Sequence, residues 1–191
     1  LRHRSGSGLP VNPHQGSIDA LARTRGWIEQ VVVGHNFCPF AKRELRRNAI
    51  RFAECPCDRN EDVLEQLVAE CEFLDTHPDI ETTLLVLPRG FEGFLDYLDM
   101  LELAERLLAQ LGYEGVYQIA SFHPDYCFAD ADNDDAANFT NRSPYPMLHL
   151  LRETSLSMAI DNHPDIDAIP SANVSKAREL GVAYFRKLLE N

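Results

Sequence analysis

The sequence predicts an α/β domain with a small, largely parallel sheet of about three strands layered with helices. Three observations lead there. Thr82-Thr-Leu-Leu-Val-Leu87 is a short continuous apolar run bounded by Asp79 and Pro88, the pattern of a strand covered on both faces. Segments with helical apolar spacing lie on both sides of it. Two further β-type stretches complete an alternation of strand and helix, which favours right-handed crossovers and parallel neighbours. A ferredoxin-like α+β arrangement is the alternative.

Residues 1–16 carry Gly, Ser and Pro without periodicity and are expected to be a disordered tail or an expression remnant, leaving 17–191 as one domain. Ser17 is placed to cap a helix with Ile18, Leu21, Ala22, Ile28, Val31 and Val32 on one stripe, ending near Gly34. Ala49–Glu54 alternates in part, which suits a half-exposed strand at or near a sheet edge. Asn60 is expected to cap the next helix, whose stripe runs through Leu64, Leu67, Val68, Cys71 and Leu74 until His77-Pro78 stops it. The apolar run at 82–87 follows as the central strand. A long helix then spans about Phe91 to Leu111, closed by Gly112, and Val116–Ser121 reads as the third strand. The stretch from His123 to Tyr145 lacks periodicity, and connections of that length are uncommon unless functional or disordered. Two helices end the chain, one from Pro146, where a missing N–H removes no bond, and one over about Ser171–Leu189.

The formal charge of −12 argues against nucleic acid as a partner, because phosphate binding needs clustered Lys and Arg. Five cysteines without regular spacing fit reduced thiols and a cytoplasmic location. No run approaches the roughly 20 apolar residues of a membrane-spanning helix, so no membrane partner is expected. The oligomeric state is left open.

The chemistry concentrates after the third predicted strand. His123 should lie at the carboxyl end of that strand, where parallel sheets collect ligand contacts, with Tyr126 close behind. On a helix from Pro146, His149, Arg152 and Glu153 would share one arc that continues with Leu156 and Ile160, so its polar end would line a cavity. Asn141, Arg142 and Ser143 would precede that helix and grip an anion, although ordinary capping accounts for them equally well. Cys38 in Asn36-Phe-Cys-Pro-Phe-Ala-Lys42 is either a nucleophile paired with a histidine or a small core residue between Phe37 and Phe40. Cys38, His123 and His149 with Asp125 or Glu153 would suit zinc or iron, but no tight ligand spacing favours a metal. The acidic loop at Asp130–Asp135 lacks the glycine and glutamate of an EF-hand. No GxGxxG, Walker loop or GxSxG is present, so the cofactor is left unknown.

Asn36-Phe-Cys-Pro-Phe-Ala41, Ser121-Phe-His-Pro-Asp-Tyr126 and Thr140-Asn-Arg-Ser-Pro-Tyr-Pro-Met-Leu-His-Leu-Leu-Arg-Glu153, with the strand Thr82–Val86, resemble an uncharacterised bacterial family known only as a domain of unknown function. The likeness runs from about Ala20 to Leu180 and implies no activity. His35, Glu81 and Cys127 depart from the pattern, so His35 and Cys127 are not counted as site residues.

Three readings follow. In the first, an enzyme acts on a small anionic metabolite through His123, His149 and Cys38, with Tyr126, Asn141, Arg142, Ser143, Arg152 and Glu153 binding it. In the second, the same cavity holds a small ligand or a metal without catalysis. In the third, the polar cluster is a structural lock on the long loop.

Overall fold

The computed structural model describes residues 13–163 and 165–189, with side chains from residue 19 onward. The expected tail therefore lies largely outside the described residues. Helix α1 (Pro13–Trp27) begins four residues before Ser17, the residue expected to cap it, and continues into a π-helical stretch at Ile28–Val33. A short α2 (Ala41–Arg46) precedes β1 (Ile50–Glu54). Then come α3 (Asn60–Thr76), β2 (Thr82–Val86), α4 (Phe94–Gln110) and β3 (Tyr117–Phe122).

Among the described residues the sheet has four strands of mixed direction, in the order β1-β2-β4-β3, where β4 is Met147–Arg152. β1 and β2 are parallel neighbours, as the alternation predicts. β4 lies between β2 and β3 and is antiparallel to both. β2 and β3 therefore run the same way but never touch, and the largely parallel three-stranded expectation is corrected. This split βαβ unit is shared with ferredoxin-like sheets, but the β1–β2 parallel pair departs from their all-antiparallel order.

β4 also corrects the helix expected from Pro146. The run Met147–Leu151 is too short for a helix, and it is covered on both faces, so it shows no alternation that would mark it as a strand. Leu148 and Leu150 join one core and Met147 the other. The helix starts only at Glu153, as α5 (Glu153–Asp161). Beyond it, α6 (Ile169–Leu180) and α7 (Val182–Leu189) replace the single long helix expected to end the chain. They divide at Gly181, whose φ of 82° and ψ of 160° are open to glycine alone.

Two cores sandwich the sheet. α3 and α4 cover one face, where Val63, Leu67, Cys71 and Leu74 of α3 and Tyr97, Met100, Ala104 and Leu108 of α4 recur at helical spacing. The other face carries Leu84, Met147 and Phe122 and is covered by Trp27, Ile28, Val31, Val32, Ala177 and Phe185. Buried Glu70 is neutralised by a bidentate bond from Arg51 of β1, at 2.6 and 3.1 Å. Cys55 and Cys57 form a disulfide, which corrects the expectation of reduced thiols: their Cα atoms are 5.2 Å apart, within bridging reach. Cys38, Cys71 and Cys127 are free.

Candidate functional site

The segment after β3 is folded by its own polar side chains. Asn138, fully buried in a 3-10 turn at Ala136–Thr140, accepts from the Phe128 amide and donates to the Asp132 carbonyl at 2.9 Å. Arg142 donates from Nε to the Tyr126 carbonyl and from Nη2 to Asn133 O and Oδ1, all at 2.9–3.0 Å. Its guanidinium lies 4.8 Å from the centre of the Phe139 ring. Ser143 donates to the Tyr145 carbonyl at 2.6 Å, and Asn141 Nδ2 donates to the Ser121 carbonyl at 3.2 Å. Sequence reasoning missed Asn138, whose role depends on carbonyls that only the folded loop brings to it.

His123 is fully buried beneath this segment. The Asp125 amide donates to its Nδ1 at 2.9 Å, so Nε2 carries the proton and donates to the Phe91 carbonyl at 2.9 Å. Phe94 and Tyr97 of α4 flank the ring, each 5.1 Å away. Burial lowers its pKa, with the Phe91 hydrogen bond acting against that. Tyr126 packs on Phe94 and Phe128.

His149 stands on the other face of the sheet, opposite Leu84 and 6.0 Å from the Phe122 ring. The Thr82 hydroxyl donates its one proton to the Leu150 carbonyl, so it accepts from His149 Nε2 at 2.7 Å. Burial pulls the His149 pKa down to about 4. The two imidazoles, expected to converge, are separated by the sheet, and each is a neutral ring bonded to protein.

Arg152 lies with the α3–α4 core, at the amino end of β2. It donates to the Leu74, His77 and Ile80 carbonyls at 2.6–3.1 Å and so closes the end of α3. Glu153 opens α5, and its amide donates to the Val116 carbonyl. Neither residue lines the hollow that contains Arg142.

Beside the carboxyl end of β3 lies a cleft of about 510 Å³. Val32, Phe37, Phe122, Phe128 and Val174 supply apolar walls, and Cys38, Asp130, Thr140, Asn141 and Asn173 polar groups. Of the expected site residues, Cys38 and Asn141 meet here, and neither histidine lines the cleft. Arg178 at its rim is held by Asp135 through bonds of 3.0 and 2.6 Å, which together with the Ala137 amide hold the Asp135 pKa down at about 2. A second hollow of about 310 Å³ separates the loop from α7 and contains Arg142 and Arg186.

No cluster of three or more His, Cys, Asp or Glu side chains suited to a metal ion exists among the described residues. None of the described helices is long and apolar enough to cross a membrane. No curated protein and no solved structure matches the chain. Residues 19–187 match the model of a family described as protein of unknown function (DUF1415), and the chain belongs to that family.

Proposed function

We propose that the chain binds a small organic molecule in the cleft beside Cys38. The apolar body of the ligand packs on Phe37, Phe122 and Phe128, and its hydrogen-bonding end meets Thr140, Asn141 and Asn173. One observation carries the reading: a mostly apolar cleft of about 510 Å³ with a few convergent polar groups, the usual anatomy of a small-ligand site. This is the non-catalytic reading of the sequence. The catalytic one draws less support, because both histidine rings are bonded to protein groups and a base must reach its substrate. A free thiol at the wall favours a narrower second reading, in which Cys38 attacks a bound electrophile.

Alkylation of Cys38 by iodoacetamide, followed by peptide mass spectrometry, tests the binding. Cys71, whose thiol burial and the neighbouring Asp75 and Glu70 push up to about 12, serves as the unreactive comparison. A bound metabolite is expected to slow Cys38 alkylation about fivefold when present at about four times its Kd. Val174→Trp, which fills the cleft from α6, is expected to remove that protection and leave the circular dichroism unchanged. Unaltered alkylation across neutral, acidic and aromatic metabolites overturns the reading. Consumption of a protecting compound by wild type, absent in Cys38→Ser, would replace binding with catalysis.

A further inference from the structure

We propose that the hollow between the 124–142 segment and α7 is an oxyanion site, in which Arg142 and Arg186 hold the phosphate or carboxylate group of a small molecule. The proposal is independent of the cleft reading and uses different side chains. Arg142 is only 8% exposed, yet all its acceptors are neutral: the Tyr126 and Asn133 carbonyls and the Asn133 side-chain oxygen. No carboxylate among the described residues forms an ion pair with it. A guanidinium keeps its charge at every physiological pH, and a charge withdrawn from water calls for a counter-charge. Nη1, with two N–H donors, has no acceptor among the described residues but is not sealed off from solvent. Arg142 lines a hollow of about 310 Å³ together with Arg186. The Nε and Nη2 hydrogen bonds orient the guanidinium, which lies 4.8 Å from the Phe139 ring centre, so the Nη1 donors have a set direction.

Arg186 is the second donor. Its ion pair is with Asp134 at 3.7 Å, between side chains 61% and 89% exposed, a loose contact that an incoming anion can replace. Asp125 and Asp134 also line the hollow and oppose an anion. Occupancy therefore requires Asp134 to release Arg186. One oxygen of a phosphate or carboxylate can accept from Arg142 Nη1 and another from the Arg186 guanidinium once Asp134 releases it.

The test titrates inorganic phosphate into the full chain carrying 15N-labelled arginine, at low ionic strength, with chloride matched in ionic strength as the control. Saturable shifts of the Arg142 and Arg186 side-chain resonances are expected with phosphate and not with chloride. Arg186→Gln, at an exposed position that leaves the fold intact, is expected to weaken binding about tenfold, and Asp134→Asn to strengthen it about threefold, because one removes a donor and the other a competitor. A parallel titration with glycerol 3-phosphate separates the sources. Equal affinity identifies a free oxyanion as ligand, and tighter binding identifies the charged end of a metabolite. Shifts that rise linearly, that chloride reproduces, or that Arg186→Gln leaves unchanged overturn the proposal.

Discussion

His149 is the residue whose protonation the fold constrains most visibly. Its ring donates to Thr82, and burial holds its pKa near 4, against an ordinary 6.5. The folded pKa is the lower one, so between pH 6.5 and 4 the unfolded chain binds a proton that the folded protein refuses. This contribution to stability is fully present above pH 6.5 and is lost as the pH falls towards 4. The whole shift corresponds to about 3 kcal/mol. His149 keeps some solvent contact, so a loss of about 2 kcal/mol by pH 4.5 is the expected figure. His123, shifted in the same direction, adds to the slope. Urea unfolding at pH 7.5, 5.5 and 4.5 is expected to show the decline in wild type and a flatter profile in His149→Gln, which keeps an N–H for Thr82. Asp135, held at about 2, loses its contribution only as the pH falls below its ordinary 3.8, outside this window. Parallel profiles for the two proteins would show that His149 does not titrate as its burial requires.

At the scale of elements, Arg152 ties strand to helix. From the end of β4 it supplies donors to the carbonyls that finish α3 and to Ile80, which leads into β2. The last carbonyls of a helix have no partner within it, so removing these donors leaves acceptors without bonds in a partly buried place. Arg152→Ala is expected to cost about 2–3 kcal/mol. Arg152→Lys should recover less than half of that, because an ammonium cannot reproduce a planar fork. Faster hydrogen exchange at the last turn of α3 would accompany both changes, and a lysine variant of full stability would refute the account. Arg152 also shows why parts of the fold were hidden in the sequence. β2, α3 and α4 were legible because burial on one or both faces leaves a pattern in the chain itself. β4 was not: the spacing of His149, Arg152 and Glu153 suits one arc of a helix, while strand pairing depends on partners more than 20 residues away. α2 buries none of its residues and leaves no stripe to read. At the site, Cys38 stood out in the sequence as a nucleophile or core residue and Asn141 as a residue before an expected helix, and only folding brings both to one cleft. The use of Arg142 and Asn138 as donors to the loop's own carbonyls exists only once the loop is folded.

Across the whole molecule, the sheet separates two cores but also joins them. Leu84 and Leu85 are successive residues of β2 that enter different cores, so neither core can lose its strands without exposing the other. One cooperative unit is the expected consequence, and Trp27 provides the probe because it belongs to the α1 side. Met100→Ala acts on the α4 side and Phe185→Ala on the α7 side. Both residues are buried, at 0% and 1% exposure, and each truncation is expected to cost about 3–4 kcal/mol through lost transfer energy and a residual cavity. With no shared partners, their effects should add to within about 0.5 kcal/mol in the double variant. The sharper test is cross-face: Met100→Ala should lower the urea midpoint of Trp27 fluorescence as much as that of the far-ultraviolet circular dichroism, although no contact joins the two side chains. A Trp27 transition that stays at its wild-type midpoint while the circular dichroism shifts would mean that the α1–α7 layer unfolds as a separate body, and that the cleft at its edge stands on a subunit of the fold with its own stability.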